Sequence, residues 1–99
     1  MEIMIQAIHF DATEKLEAFI SKKAAKLERF YDNIKKVEVS LKVVKPETAM
    51  NKEAGIKVLI PNGELYAEKT KDSFEEAVVE ALEALEKQLQ KFKEKQSGK

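Results

Sequence analysis

The chain has 99 residues, with 18 basic and 18 acidic side chains and a formal net charge of zero. This length suits one domain, the balanced charge excludes binding of polyanions through overall charge, and the lack of cysteine excludes disulfide scaffolds and cysteine-ligated metals. No apolar run approaches the length of a membrane span, which is about 18 residues. Residues 1–6 lack the basic start of a signal peptide. We therefore expect a cytoplasmic protein with no membrane partner.

The first predicted elements are a strand and a helix. Residues 3–8 are short and apolar, which favours a strand. Apolar residues then recur at helical spacing, which predicts a helix over about residues 12–30. Asp11 is followed three residues later by Glu14, a variant of the capping box, so we expect the helix to begin there.

Three strands are predicted after this helix. Apolar and polar residues alternate over residues 37–43, which is typical of a strand with one solvent-facing side. A polar loop runs to about residue 52, and the alternation resumes over residues 54–60. Residues 61–63 (PNG) predict a hairpin, because Asn and Gly tolerate positive φ. The last strand then runs to about residue 70.

The last predicted element is a second helix. Asp72 and Glu75 form another variant of the capping box, and an apolar stripe follows to about residue 93. We therefore assign residues 1–95 to a single domain and residues 96–99 to a frayed tail.

The order of elements, β-α-β-β-β-α, predicts an α+β fold. A helix joins the first two strands, so these strands are expected to be parallel with a right-handed crossover, and the later strands form an antiparallel meander. Each helix has one apolar stripe. Both helices are therefore expected to pack on one face of a four-stranded mixed sheet.

The placement of cations on the two helices is the informative feature. Four cations of the first helix fall within about 60° of arc at 100° per residue: Lys15, Lys22, Lys26 and Arg29. On the second helix, three lysines follow an acidic first half at spacings of four residues: Lys87, Lys91 and Lys95. If these stripes border a common groove, that groove suits a phosphate backbone. The alternative interpretation is a solvated surface whose late cations complement the helix dipole.

Residues that could carry catalysis are few. His9 is the single histidine, no carboxylates have metal-ligand spacing, and no glycine-rich phosphate loop is present. We therefore expect no enzyme, no cofactor, no metal site and no small-molecule substrate. Two interpretations of Tyr66 stay open, stacking of a base on the polar sheet face or partial burial against its neighbours.

The chain resembles the ribosome hibernation-promoting factor, protein Y and ribosome-associated inhibitor family, also called sigma modulation proteins, in its short form. The segments that carry this resemblance are spread along the sequence: residues 26–30 (KLERF), 60–63 (IPNG), 72–77 (DSFEEA), 85–91 (LEKQLQK) and 92–93 (FK). The resemblance rests on the order and spacing of these segments rather than on any single motif.

The resemblance implies a β-α-β-β-β-α fold similar to that of double-stranded RNA-binding domains. It implies binding to the small ribosomal subunit and its rRNA between head and body, where the protein would cover mRNA and tRNA sites and silence translation in starvation and stationary phase. We expect the protein to be monomeric off the ribosome. Ala84 departs from the family pattern, because many relatives carry Lys there.

The stripes and the resemblance together predict a set of RNA-binding residues: Lys22, Lys23, Lys26, Arg29, Lys87, Lys91 and Lys95. Two alternatives stay open at this stage. One is a generic module that binds another structured RNA, and the other is a protein-interaction domain that uses its polar sheet face or a sheet edge and binds no nucleic acid.

Overall fold

The computed structural model describes residues 1–44, 50–61 and 63–97, with side chains through residue 93. Its elements follow the predicted order: β1 (Glu2–Ala7), α1 (Glu14–Ala25), a 3₁₀ segment (Lys26–Arg29), β2 (Lys36–Val43), β3 (Lys52–Ile60), β4 (Gly63–Lys71) and α2 (Phe74–Ser97). No helix in the described part of the chain is long and apolar enough to span a bilayer.

The four strands form one mixed sheet in the order β1-β2-β3-β4. β1 is parallel to β2, with Ile5 opposite Val39, because α1 carries the chain back to the starting end of the sheet. β3 is antiparallel to both of its neighbours, β2 and β4. The predicted α+β fold is therefore confirmed, while the likeness to double-stranded RNA-binding domains stays a prediction.

The core lies between the two helices and one face of this sheet. Alternate residues of the central strands, such as Val39 and Ile56, are fully buried, and they join one cluster with Ile20 of α1 and Leu85 of α2. Burial of each such side chain contributes about 1.5–3 kcal/mol relative to exposure. The alternate positions of the strands face the other way, so the sheet keeps one polar outer face.

Two aromatic contacts show that α1 and α2 run in the same direction. Phe10, just before α1, stacks on Phe74 at the start of α2, with ring centroids 5.1 Å apart. Tyr31, just after the 3₁₀ segment, meets Phe92 near the other end of α2 edge-on at 5.5 Å. The starts of the two helices therefore share one end of the molecule, and their later turns share the other.

Both predicted capping residues are wrong. Thr13, not Asp11, caps α1, because its Oγ1 accepts a hydrogen bond from the Leu16 N–H at 3.0 Å. At α2 the Ser73 Oγ accepts from the Glu76 N–H at 3.1 Å. Asp72 instead accepts a 2.7 Å bond from the Met50 N–H and so ties the start of β3 to the start of α2.

Other local details also differ from the predictions. The first helix tightens to a 3₁₀ segment over its last turn rather than staying α-helical to residue 30. α2 continues to Ser97, so the predicted end near residue 93 is too early and residues 96–97, predicted as frayed, are helical. The hairpin is confirmed, but Gly63 pairs with Ile60 as the first residue of β4 and has no positive φ. Residues 45–49, Asn62 and residues 98–99 lie outside the described residues.

The capping assignment predicts a difference between two neighbouring substitutions. Thr13→Ala removes the acceptor for the Leu16 N–H and should lower the free energy of unfolding by about 1 kcal/mol. Asp11→Ala, at an exposed position outside the helix, should change it by less than about 0.5 kcal/mol. Urea unfolding of both variants measures the difference, and a larger loss in Asp11→Ala would contradict Thr13 as the cap.

Candidate nucleic-acid interface

Three cations at the end of the first helix are exposed: Lys22, Lys26 and Arg29. None of them forms an ion pair with another residue in the described part of the chain. Lys26 and Arg29 lie in the 3₁₀ segment, where residues three apart are eclipsed, so both still project from one side. Lys23 is half-buried, and its Nζ lies 5.6 Å from the centre of the Phe19 ring.

Lys91 lies on the flank of α2 that faces β4. Lys91 lines a shallow groove of about 240 Å³ together with Leu65, Gln88 and Phe92. The Gln88 Nε2 donates a 3.1 Å hydrogen bond to the backbone carbonyl of Tyr66, which fixes this flank against the edge strand. Lys87 is exposed one turn before Lys91, whereas the side chain of Lys95 lies beyond the described residues.

The groove between α1 and α2 is acidic rather than basic. It has a volume of about 330 Å³ and is lined by Phe19, Val79 and four glutamates: Glu75, Glu76, Glu80 and Glu83. Around α2 at 100° per residue, Lys91 lies about 120° from Val79, whereas Lys87 lies only about 20° from Glu80. The acidic groove follows the first half of α2, and a common groove between the basic stripes of the later turns stays a prediction.

The parallel course of the helices gathers the cations at one end of the molecule. The first turn of α1 carries Glu14 and Glu17, and the first turn of α2 carries Glu75 and Glu76. The same end of each helix is therefore acidic, and the later turns of the two helices carry all seven predicted cations. This arrangement agrees with the helix dipoles and gives a neutral chain one cationic end.

Tyr66 dominates the outer face of the sheet. Tyr66 is 53% exposed, so its neighbours bury it in part, and both interpretations from the sequence stay open. Its hydroxyl lies over Gly55, where an ideal Cβ would stand only 2.5 Å from the hydroxyl oxygen. The ring therefore reaches across β3, and glycine at position 55 makes room for it.

Two carboxyl groups lie beside Tyr66 on this face. A hydrogen bond between the side chains of Glu53 and Glu68 raises the pKa of Glu53, with smaller effects in the same direction from burial and from the Glu68 charge. The nearby Lys42 charge acts in the opposite direction. Partial burial and these two carboxylates also raise the pKa of Tyr66. Sequence reasoning missed this cluster, because only the strand register shows that Glu53 and Glu68 meet.

The single histidine and the clusters of acidic side chains were the remaining candidates for a chemical site. His9 is exposed in the loop before α1, where its φ is 67°. No group of three or more His, Asp or Glu side chains in the described part of the chain is placed to hold a metal ion. The cationic end and the outer sheet face are therefore the surfaces with distinctive chemistry.

Residues 3–97 match the family model described as sigma 54 modulation protein / S30EA ribosomal protein. The chain is 30% identical over 98 residues to a ribosome hibernation promoting factor of Pseudomonas putida, covering 99% of this chain and 92% of the relative. It is also 30% identical over 95 residues to a protein of the same name from Escherichia coli K12, covering 96% of each.

Solved structures share the fold. The N-terminal domain of Thermus thermophilus protein Y matches with a TM-score of 0.80 and 25% identity, over 93% of this chain and 99% of that one. A ribosomal subunit interface protein from Coxiella burnetii matches with a TM-score of 0.80 at 24% identity, over 94% of this chain and 98% of that one, and its likeness bears on the fold alone.

The raised pKa of Glu53 predicts how stability depends on pH. The folded protein retains a proton that the unfolded chain releases near the ordinary value of 4.5, so this pair makes the protein less stable as pH rises above 4.5. Glu53→Gln should therefore raise the melting temperature at pH 7 and flatten that decline. The carboxyl is largely solvated, so the gain should be below about 1 kcal/mol.

Thermal unfolding between pH 4 and pH 8 measures this effect. Glu64→Gln, at an exposed position on the strand of Glu68 and on the same sheet face, removes one charge without touching the Glu53–Glu68 pair. An equal rise in melting temperature for Glu64→Gln would assign the effect to general charge rather than to the pair.

Proposed function

Because this chain belongs to the family of sigma 54 modulation proteins and S30EA ribosomal proteins, we propose that it binds the ribosome and silences translation. The proposed target is the small subunit and its rRNA, in the channel between head and body. The protein would act there in starved cells. Names of relatives that span nearly the whole chain support this role.

The observation that carries the proposal is the gathering of cations at one end of a neutral molecule. Lys22, Lys26 and Arg29 project into solvent from the first helix, and Lys87 and Lys91 do so from α2. Five phosphate contacts release condensed counterions, which supplies affinity without reading base sequence. Lysine is a point charge rather than a bidentate fork, so this surface suits phosphates better than base edges.

The proposed mechanism is occupancy. A domain lodged where mRNA and tRNA bind excludes both ligands by volume, and no bond is made or broken in the process. The buried helix–sheet core makes the domain rigid enough to compete as a single body. Silencing is then reversible, because dissociation restores the ribosome unchanged.

The cationic end predicts the salt dependence of ribosome binding. With five to seven phosphate contacts, log affinity should fall against log salt with a slope of roughly −4 to −6. Replacing Lys22, Lys26 and Arg29 together by Gln should make the slope shallower by about two to three units, because each contact contributes about 0.7–0.9. Filter binding to purified small subunits at several salt concentrations measures the slope.

A matched triple variant controls for net charge. Lys15, Lys42 and Lys69 are exposed and lie toward the opposite end, in the first turn of α1 and near the ends of β2 and β4, so their replacement by Gln should change the slope by less than about half a unit. Equal losses in the two triple variants would contradict a localised surface. A wild-type slope shallower than about −2 would contradict RNA binding itself.

Occupancy predicts that order of addition decides inhibition. In cell-free translation, protein added before initiation should inhibit, whereas ribosomes preloaded with mRNA and initiator tRNA should resist the same concentration. The measured quantity is the protein concentration that halves synthesis under each order of addition. Equal values would contradict competition for the mRNA and tRNA sites.

A further inference from the structure

The outer face of β3 and β4 has no covering element among the described residues. Both helices pack on the opposite face, and the side chain of Tyr66 is 53% exposed on this one. The proposed contacts with RNA lie on the helices, so they leave this sheet face without an assigned role.

The hydroxyl end of Tyr66 is positioned by the strand beside it. The hydroxyl and the adjoining ring carbons lie over Gly55, where a Cβ would meet them, while much of the residue stays exposed to solvent. The edge strand beneath it is fixed because the Gln88 side chain bonds the Tyr66 carbonyl. A ring held in this way can stack on a planar group at little further cost in side-chain entropy.

The charged groups around the Tyr66 ring determine which charge a ligand stacked on the ring should carry. Glu53 and Glu68 share a hydrogen bond beside Tyr66, and Glu64 is exposed two residues before it on the same face. Lys57, opposite Tyr66 in the strand register, and Lys42, opposite Glu53, offset part of this charge. Two carboxyl groups in contact repel each other once both are ionised, and a cation placed between them relieves that repulsion.

We propose that this face docks a basic protein segment, with one arginine or lysine side chain stacked on Tyr66 and bound by Glu53 and Glu68. Arginine fits better than lysine, because its planar guanidinium can stack on the ring while its N–H groups reach carboxylates. An RNA strand here would bring phosphates close to three carboxylates, a like-charge contact that disfavours binding.

This inference goes beyond the proposed function, since it assigns a protein ligand to the face away from the RNA-binding helices. The protein would then have two surfaces that prefer opposite charges. The cationic end would bind phosphates, and the outer face of β3 and β4 around Tyr66, the tyrosine face, would bind cations. A ribosome presents both RNA phosphates and basic protein segments, but binding at the tyrosine face can be tested without a ribosome.

The direct test is an NMR titration of the isolated protein with three probes. The first is a nonapeptide of three Gly-Ser-Arg repeats, the second is its Gly-Ser-Gln counterpart, and the third is hexauridylate RNA. We expect the arginine peptide, and neither of the others, to shift the backbone amides of Gly55, Tyr66 and Glu68. Shifts at these amides with the RNA, or equal shifts with the glutamine peptide, would overturn the proposal.

Variants separate this face from general attraction to acidic surface. Tyr66→Leu should weaken binding of the arginine peptide about two- to fivefold, the range expected for an exposed cation–π contact. Glu53→Gln with Glu68→Gln should weaken it as well. The control, Glu75→Gln with Glu83→Gln, removes two charges from the acidic interhelical groove and should leave affinity unchanged. If the control variant loses more affinity for the arginine peptide than the other two variants do, the peptide binds in that groove and the proposal is overturned.

A second experiment uses purified ribosomes and separates this inference from the proposed function. A photo-crosslinking amino acid in place of Glu64 should yield adducts with an arginine- or lysine-rich segment of a ribosomal protein. Adducts with rRNA alone, or none from protein that co-sediments with ribosomes, would overturn the inference while leaving ribosome binding intact. Loss of co-sedimentation would count against the proposed function, and the peptide titration would still decide the inference.

Discussion

The apolar stripes of two helices must both be buried against a single face of one sheet, and the rest of the structure depends on this constraint. Ile20 and Leu27 on one helix and Leu85 and Leu89 on the other are fully buried in the same cluster as β2 and β3. Each of these side chains stabilises the fold by about 1.5–3 kcal/mol. Because the helices cover one face completely, polar groups occupy the outer sheet face and the solvent sides of the helices.

The same packing decides where charge accumulates. The parallel crossover from β1 to β2 and the antiparallel strands that follow return the chain so that both helices start at the same end. Acidic first turns and basic later turns then add across the two helices, although the sum of charge is zero. A pattern that stabilises each helix through its own dipole also creates a surface that neither helix has alone.

The sequence predicted the elements and their pairing well, because alternation such as Val37, Val39 and Leu41 depends on local burial and has few alternatives. The capping residues were predicted wrongly because the sequence offers two neighbouring candidates at each helix start, Asp11 with Thr13 and Asp72 with Ser73. In the second case Asp72 bonds the Met50 N–H across the molecule, which leaves the cap to Ser73.

The candidate surfaces were predicted only in part. Sequence spacing gives the angle of Lys91 around its own helix, but it does not give the rotation of that helix against its neighbours. The interhelical groove is therefore acidic although both helices carry basic stripes. The approach of Tyr66 to Gly55 had one signal in the sequence, a glycine within a strand, which often marks close contact from another group.

The alignment of the two helices also affects how the protein approaches a charged target. α2 has 24 residues and is about 36 Å long, so opposite charges at its ends are separated by several Debye lengths at physiological ionic strength. A neutral molecule feels no net pull in a uniform field, but a separated pair of charges feels a torque. Near a polyanion this torque turns the protein so that its cationic end leads. The position of the charges therefore matters as well as their number.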